Sequence, residues 1–385
     1  MQSKTNPRVA IVHDWLTNLG GAERVVEAMI KAFPQADIYT SVYNRAHVPI
    51  MQDVSIKTSF LQHWPLARRY HQLFPILRRY AFEQFDFSEY DVVISSSSAE
   101  AKGLITSESC LHISYIHTPT RYYWSHYNEY LDNPGFGLLN PVVRWQLRRS
   151  INQSRRWDFA AAQRPDVLLA NSGAVAQRIK RFYDRESQVV YPNVDTDRFS
   201  VQKLPRPDGA PNRYALVVSR LIPYKRIDIA VQAARRAQMP LVVIGRGSEL
   251  KRLKAMAGPD TVFLGALKDA EVTAYMQHAE VFLFPGEEDF GITPVEAMSA
   301  GVPVIAYKKG GAVETVIDNV TGVLVEHQTA EAFTKVLSGW TKYQFSSKEL
   351  QEYAEKFTTQ RFIDQLHTIV QQSLKNKTKV CGDKY

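Results

Sequence analysis

Val281-Phe282-Leu283-Phe284-Pro285-Gly286 is a short apolar run that ends at two turn-forming residues, and it predicts a buried β-strand. The chain continues Glu288-Asp289-Phe290-Gly291-Ile292-Thr293-Pro294-Val295-Glu296, in which Pro294 suits the first turn of a helix. A buried strand, a loop and a helix begin a parallel βαβ unit. We therefore expect Glu288 and Glu296 near the carboxyl end of a strand, where open α/β sheets bind ligands.

The two glutamates have a structural and a functional interpretation. Thr293 followed by Pro294 and Glu296 is a helix-capping pattern, in which Glu296 reaches back to the N-cap. Capping would account for Glu296 but not for Glu288. Carboxylates also accept hydrogen bonds from paired hydroxyls, such as those of a ribose or a sugar ring.

Length and composition favour a two-domain globular protein without a membrane span. The chain has 385 residues, 45% hydrophobic and 22% charged, which is too long for one ordinary core and too apolar for a disordered chain. It has no run of about 18 apolar residues, and its amino terminus has no apolar signal core. Cys110 and Cys381 are too far apart for a metal-ligand pattern or a disulfide framework. We expect a cytoplasmic protein with no metal.

Short apolar runs alternate with helical patterns along the chain, which indicates parallel βαβ units. Strands are predicted at residues 9–13, 38–42, 91–95, 112–117, 167–170 and 188–191 in the first half and at 214–219, 241–244, 262–264, 281–284, 302–306 and 322–325 in the second. Prolines within 198–213 predict a linker. The predicted domains are 1–197 and 198–356, with a final helix at about 357–375 that packs back on the first.

Ser219-Arg220-Leu221-Ile222-Pro223-Tyr224-Lys225-Arg226 follows the first predicted strand of the second half. Arg220 and Lys225 precede a helix, whose free N–H groups favour anions. Two fixed cations can stabilise the charge on a departing diphosphate without a metal. The alternative is a pair of surface cations at a helix start, which suits Arg226 better than Arg220.

Glycines and one histidine follow other predicted strands. Gly20 and Gly21 would let a phosphate or sugar approach the backbone closely, although a simple tight turn would also use them. Gly245 and Gly265 end two strands of the second half, where backbone groups could contact a nucleotide. His117 ends a buried strand before a proline-containing loop, although a lone histidine more often has a structural role.

The Glu-x7-Glu spacing of 288–296 with Phe-Gly inside it, together with the Ser-Arg-Leu and Lys-Arg of 219–226, resembles the signature of the retaining, nucleotide-sugar-dependent glycosyltransferases of family 4. The resemblance covers roughly residues 8–372. It implies the GT-B arrangement, an α/β fold of two Rossmann-like, doubly wound parallel-sheet domains facing across a cleft. The acceptor would bind the first domain and the nucleotide sugar the second.

The resemblance also implies a role for each candidate residue. Glu296 would hold the ribose hydroxyls, Glu288 would hold the donor sugar, and His117 would position that sugar. Arg220 and Lys225 would stabilise the departing diphosphate. Further donor contacts would come from glycines and backbone amides, at Gly20, Gly21, Gly245, Gly265, Phe290, Gly291 and Ile292.

Within the family, residues 13–15, 20–24 and 117–122 look most like bacterial mannosyltransferases of lipopolysaccharide and exopolysaccharide assembly. This similarity implies transfer of mannose from GDP-mannose to a polyprenyl-diphosphate-linked glycan, with no cofactor. Two alternatives stay open: a sugar-nucleotide epimerase or hydrolase on the same fold, and a basic membrane-binding module with a vestigial donor site.

The net charge of +8 is shared by both halves, but two segments combine arginines with aromatic residues. One is 64–82, with Arg68, Arg69, Arg78 and Arg79, and the other is 144–157. Such segments suit an anionic membrane surface or single-stranded nucleic acid. A helix face whose arginines pair with acids elsewhere is the structural alternative. We predict docking at the inner face of the cell membrane and no nucleic-acid partner.

Overall fold

The computed structural model describes residues 7–48, 54–65, 67–132, 135, 137–200 and 202–382. The chain divides into two compact units, of which the first comprises Met1–Tyr191 and Phe362–Tyr385 and the second Pro192–Arg361. The division therefore falls before residue 192, whereas the sequence places it between 197 and 198.

The first unit contains a seven-stranded parallel sheet in the order β3-β2-β1-β4-β5-β6-β7. Its strands are β1 Val9–His13, β2 Asp37–Thr40, β3 Ile56–Thr58, β4 Val92–Ser97, β5 Leu111–Ile116, β6 Val167–Ala170 and β7 Gln188–Val189. β3 was not predicted because it is a short edge strand without a buried residue.

The second unit contains a six-stranded parallel sheet in the order β10-β9-β8-β11-β12-β13. Its strands are β8 Ala215–Val218, β9 Leu241–Ile244, β10 Thr261–Gly265, β11 Val281–Phe284, β12 Val304–Tyr307 and β13 Gly322–Val325. The predicted parallel α/β fold is confirmed in both units, and each predicted strand overlaps an observed one.

Helices follow most strands, as right-handed parallel connections require. In the first unit they are α1 Gly21–Ala32, α2 Ala67–Tyr70, α3 Pro75–Glu83, α4 Tyr127–Asp132, α5 Asn140–Ala161 and α6 Gly173–Tyr183. In the second they are α7 Asp197–Ser200, α8 Ile227–Arg236, α9 Leu250–Met256, α10 Asp269–Gln277, α11 Ile292–Ser299, α12 Ala312–Thr315, α13 Ala330–Ser338 and α14 Ser347–Ala354. Among the described residues, no helix has the length and apolarity that crossing a membrane would need.

The last helix, α15 Thr359–Gly382, begins in the second unit and contributes to the core of the first. Phe362, Leu366 and Ile369 are buried in the same apolar cluster as Ile11 of β1. His367 Nε2 also lies 2.7 Å from the carbonyl oxygen of Ala32, at the end of α1. The apolar spacing along α15 places one face of the helix on this core.

The segment predicted as a linker packs inside the second unit. Gln277 of α10 donates hydrogen bonds to the carbonyl oxygens of Phe199 and Gln202 at 2.8 and 2.7 Å. It also accepts one from the Leu204 N–H at 2.8 Å. These contacts tie Phe199, Gln202 and Leu204 to α10.

The strand order reverses beside the first strand of each sheet. β1 has β2 on one side and β4 on the other, and β8 lies in the same way between β9 and β11. Loops that leave the two neighbouring strands at such a point run to opposite faces of the sheet and leave a crevice between them. These two positions are where ligand sites are expected.

Candidate functional site

In the second unit, the loops after β8 and β11 meet beside the point where the strand order reverses. Lys225 Nζ forms an ion pair with a carboxylate oxygen of Glu288, and the two side chains are 12% and 20% exposed. The backbones pack closely as well, because a Cβ atom at Gly286 would lie 3.0 Å from the Lys225 carbonyl oxygen. A larger residue at position 286 would push the two loops apart.

Arg220 is joined to the same pair through a tyrosine. Its guanidinium donates a hydrogen bond to the Tyr224 hydroxyl at 2.8 Å. The Nζ atom of Lys225 lies 5.4 Å from the centre of the Tyr224 ring, within reach of a cation–π interaction. Arg220, Lys225 and Glu288 thus form one connected set with two positive charges and one negative charge. Tyr224 was not among the predicted site residues.

Glu296 does not cap a helix, so the capping interpretation is wrong. α11 begins at Ile292, and its N-cap is Gly291 at φ +91°, without a side-chain capping bond. Glycine adopts this left-handed conformation without strain, which lets the helix start before Thr293. Glu296 is buried, and its carboxylate accepts a hydrogen bond from Arg198 Nη2 at 3.4 Å.

Arg198 is a residue of this region that the sequence did not identify. It also pairs with Asp269 of α10, at 3.0 Å between Nη1 and Oδ2. Its guanidinium lies over the Phe199 ring, 4.3 Å from the ring centre. Glu296, Asp269 and the face of the Phe199 ring therefore hold the Arg198 guanidinium in place. No local pattern indicates this pairing, because α7, α10 and α11 are separate elements.

Gly245 lies beside the Arg220 loop, and its backbone approaches that of Ser219 too closely for a side chain. A Cβ atom at Gly245 would lie 1.8 Å from the carbonyl oxygen of Ser219, next to Arg220. The Gly245 N–H donates to the Gly265 carbonyl oxygen at 2.7 Å. Gly245 and Gly265 both have positive φ, at +140° and +74°. The ends of β8, β9 and β10 are thus held together by backbone contacts.

The side chain of Phe290 belongs to the core. It is buried, and its ring centre lies 5.5 Å from that of Phe357. A Cβ atom at Gly311 would lie 2.3 Å from the Cα atom of Phe290. Any ligand contact of Phe290 would therefore be made by its backbone, which is the kind of contact predicted for Phe290, Gly291 and Ile292.

In the first unit, His117 is part of a buried group of polar side chains. Its Nε2 lies 2.8 Å from Ser96 Oγ, at the end of β4. The same hydroxyl lies 3.1 Å from Nδ1 of His13, at the end of β1. His13 Nε2 lies 3.8 Å from Glu23 Oε1, and Glu23 Oε2 accepts the N–H of Gly20 at 2.9 Å.

The sequence identified only two members of this group, Gly20 and His117, together with Gly21, the first residue of α1. Burial lowers the pKa of His13, but the carboxylates of Glu23 and Asp14 outweigh burial and hold that pKa above its ordinary value. The sequence does contain a signal for this group, because polar residues lie at the carboxyl ends of three neighbouring strands.

Two arginines of the basic segment around α3 are buried. Arg78 is only 1% exposed, and its Nε donates to the Glu100 carboxylate at 2.8 Å. Arg79 donates to the hydroxyl groups of Tyr123 and Ser154 at 2.9 and 2.7 Å. The prediction that these arginines dock on lipid is wrong, because buried acceptors hold them inside the unit. The side chain of Arg69, which also belongs to the predicted segment, is not among those that the structure describes.

The second basic segment lies on α5 and does present a surface. Arg148, Arg149 and Arg156 are exposed, as are Val142 and Trp145, at 59% and 64%. This helix therefore combines cations and apolar side chains on its exposed surface.

A solved structure with the same fold identifies the fold class of the chain. The crystal structure of Alr3699/HepE from Anabaena in complex with UDP-glucose matches with a TM-score of 0.69 and 20% identity, over 94% of this chain and 99% of that one. At this identity the likeness shows the fold alone. Two parallel-sheet α/β units of this kind define a GT-B fold.

Family models identify both parts of the chain. The model for Glycosyltransferase Family 4 matches residues 19–198, and the model for glycosyl transferases group 1 matches residues 201–357. The chain belongs to glycosyltransferase family 4.

Two relatives give the similarity in more detail. A GDP-mannose-dependent alpha-(1-6)-phosphatidylinositol monomannoside mannosyltransferase of Mycolicibacterium smegmatis is 34% identical over 230 residues, which are 52% of this chain and 56% of the relative. The chain thus spans about half the length of this relative. An alpha-1,3/1,6-mannosyltransferase of Rhizomucor pusillus is 22% identical, over 94% of this chain and 91% of the relative.

Proposed function

We propose that the protein is a retaining, metal-independent glycosyltransferase that moves mannose from GDP-mannose to a lipid-linked glycan. The observation that carries this proposal is the connected set of Arg220, Lys225 and Glu288 beside the β8–β11 reversal. Two relatives support the choice of sugar, because both are named mannosyltransferases and one is named GDP-mannose-dependent. Fold alone would not support it, since one fold hosts many reactions.

In the proposed reaction, the bond between the anomeric carbon and the diphosphate oxygen breaks, and the acceptor oxygen bonds to the same face of that carbon. Arg220 and Lys225 stabilise the charge that develops on the diphosphate. The proton of the acceptor hydroxyl passes to the departing diphosphate oxygen, so no separate base is required. Two cationic side chains supply the stabilisation that a metal ion would otherwise supply.

The donor is held at both of its ends in this proposal. Glu296, oriented by Arg198, accepts hydrogen bonds from the ribose hydroxyls. Glu288 accepts from the sugar, and His117 positions the sugar. The backbone amides of residues 290–292 donate to its hydroxyls, and the glycine-rich loop at residues 20–21 allows the donor to approach closely.

Thermal-shift and calorimetric measurements with GDP, UDP, ADP and their sugars test the proposal. A nucleotide that binds the folded protein raises its melting temperature by mass action. We expect GDP and GDP-mannose to give the largest shifts. Incubation with GDP-mannose alone separates the alternatives, since an epimerase or hydrolase would consume the donor rapidly without an acceptor. Absence of binding by any nucleotide would reject the donor site.

We further propose that the exposed basic and apolar surface of α5 docks on the anionic inner face of the cell membrane, where a polyprenyl-linked acceptor is found. Cations attract anionic lipid while Val142 and Trp145 enter the interface. An Arg148→Glu/Arg149→Glu variant should lose binding to vesicles that contain phosphatidylglycerol. Lys251→Glu/Lys254→Glu, which changes exposed cations of α9, is the matched control. Equal losses in the two variants would reject a specific role for α5.

A further inference from the structure

We propose that Arg246 selects guanine as the base of the donor nucleotide, because its guanidinium donates hydrogen bonds to O6 and N7 of that base. This inference rests on the proposed function, which supplies a nucleotide-sugar donor and the place of its ribose. It goes further because it assigns the choice of base to one side chain. All the contacts that place Arg246 lie within the second unit.

The surroundings of Glu296 indicate where the base lies. The Arg198 guanidinium contacts Glu296 at 3.4 Å and Asp269 at 3.0 Å, so both carboxylates are within reach of one side chain. Asp269 is the first residue of α10, and the strand before that helix, β10, ends at Gly265. A ribose held by Glu296 therefore lies near the carboxyl end of β10, and its base extends to Gly265.

The order of the strands places Arg246 along the length of such a nucleotide. The diphosphate lies beside Arg220 and Lys225, after β8, and the base lies after β10. β9 lies between these two strands in the sheet, and Arg246 follows β9 by two residues. The ends of β8 and β10 are two strand spacings apart, about 10 Å. A nucleotide that spans them passes the residues that follow β9.

The backbone of Arg246 is held by the loop after β8. A Cβ atom at Gly245 would lie 1.8 Å from the Ser219 carbonyl oxygen, and one at Gly247 would lie 2.1 Å from the Leu221 carbonyl oxygen. The Leu221 N–H also donates to the Arg246 carbonyl oxygen at 2.9 Å. The two glycines thus fix the segment against this loop, while the side chain of Arg246 is exposed.

The side chain of Arg246 borders an open space beside Gly265. A Cβ atom at Gly265 would lie 3.8 Å from Nε of Arg246, and apart from the neighbours of Gly265 in the chain no other described atom lies within 4 Å of that position. Gly265 has φ +74°, a conformation that favours glycine, so a side chain is not expected to fill the space. A flat ring can occupy it with the guanidinium along one edge.

Guanine is the base whose edge matches a guanidinium. Its O6 and N7 both accept hydrogen bonds, and arginine contacts this pair through two donors. Adenine carries an amino group, itself a donor, where guanine carries O6, and uracil has no N7. Arginine offers donors only, so Arg246 favours GDP over ADP and UDP. The alternative is an exposed cation that attracts every nucleotide through its diphosphate.

Calorimetric binding of GDP, 7-deaza-GDP and UDP separates the two interpretations. In 7-deaza-GDP a carbon replaces N7, so the base loses one of the two acceptors while the diphosphate is unchanged. We expect the wild type to bind GDP about tenfold more tightly than 7-deaza-GDP, the loss expected for one hydrogen bond to a charged group.

Two variants complete the comparison. Arg246→Met should weaken GDP binding by at least about tenfold, bind GDP and 7-deaza-GDP equally, and leave the affinity for UDP unchanged. Lys254→Met, which removes an exposed cation of α9, is the matched control and should keep all three wild-type affinities. Because both side chains are exposed, the melting temperatures without nucleotide should equal that of the wild type.

Equal binding of GDP and 7-deaza-GDP by the wild type would overturn the inference. The same loss for all three ligands in Arg246→Met would also overturn it, because that result indicates a general attraction for anions. A wild type that prefers UDP or binds no nucleotide would overturn it as well. Failure of the proposed function looks different, since the wild type would then discriminate between GDP and 7-deaza-GDP without transferring mannose from GDP-mannose.

Discussion

Lys225 and Glu288 form an ion pair although they follow different strands of the second sheet. Each was predicted to contact the donor, Lys225 through the diphosphate and Glu288 through the sugar. Without a ligand, each side chain neutralises the other. An anion that binds Lys225 must therefore compete with the Glu288 carboxylate, and this competition has measurable consequences.

Glu288→Gln should bind GDP more tightly than the wild type and transfer sugar more slowly. Removing the carboxylate frees Lys225 for the diphosphate, and we expect about fivefold tighter binding, roughly 1 kcal/mol. The slower transfer follows from the lost contact with the sugar. Calorimetry with GDP measures the first effect and GDP release from GDP-mannose the second. Glu287→Gln, a change at the exposed neighbour, is the control. Weaker GDP binding in Glu288→Gln would contradict the competition.

Arg220→Ala should lower turnover by about a hundredfold or more, since removing one donor to a developing charge costs on the order of 3 kcal/mol. Arg213→Ala is the matched control. Arg213 precedes β8 and pairs with Glu280, so it lies at the opposite end of the strand that Arg220 follows. We expect unchanged melting temperatures for both variants. Turnover in Arg220→Ala equal to that in Arg213→Ala would remove Arg220 from the mechanism.

Glu296→Gln should weaken GDP binding by at least about tenfold, because a hydrogen bond to a charged group contributes about 1.5–3 kcal/mol. The wild type should also prefer GDP to 2′-deoxy-GDP, and the variant should lose this preference if Glu296 contacts the ribose. Thr293→Ala should leave both affinities unchanged, since Thr293 does not cap α11. A preference that persists in Glu296→Gln would place the ribose elsewhere. Competitive calorimetry with the wild type and both variants measures all six affinities.

Arg78→Met should destabilise the first unit by about 3–5 kcal/mol, because it leaves the Glu100 carboxylate buried without its partner. Denaturant unfolding measures the loss. Lys180→Met, which breaks an exposed pair with Asp184, should have little effect on unfolding. If Arg78→Met were as stable as Lys180→Met and lost only vesicle binding, the original membrane interpretation of this segment would be correct.

Acid should destabilise the first unit through His71. Burial, helped by the charge of Arg78, lowers the pKa of His71 to about 3, whereas the unfolded chain protonates near pH 6.5. Between these values the unfolded state binds the additional proton, so stability falls as the pH falls. From pH 7 to pH 5 the wild type should lose about 2 kcal/mol more than His71→Phe. Unfolding curves at both pH values give this difference, and equal losses would contradict it.

Sequence periodicity predicted the α/β class and the strands of both sheets because it is a local property. An apolar run such as 281–284 must be buried wherever the chain takes it, and a glycine such as Gly245, at φ +140°, adopts a backbone conformation that other residues rarely adopt. Arg220, Lys225 and Glu288 were likewise found from their positions after strands, since the carboxyl ends of parallel strands share one edge of a sheet.

The partners of these side chains could not be predicted in the same way. Arg78 and Arg148 both lie in arginine–aromatic segments, yet Arg78 is buried against Glu100 while Arg148 is exposed. The two segments have a similar composition, so composition cannot distinguish a buried arginine from an exposed one. Only the packing of the folded chain decides which arginine is buried. The capping pattern at Thr293 failed for a related reason, because the left-handed Gly291 starts the helix earlier.

The sequence by itself determined two parallel-sheet units, the loops that carry charge, and the family. The tertiary structure alone decided that Glu296 meets Arg198 and that Ser96 lies between His13 and His117. The physical reason is the range of the interactions. Burial and backbone conformation depend on neighbouring residues, whereas a hydrogen bond between distant residues forms only where the packing of helices and strands brings donor and acceptor within about 3 Å.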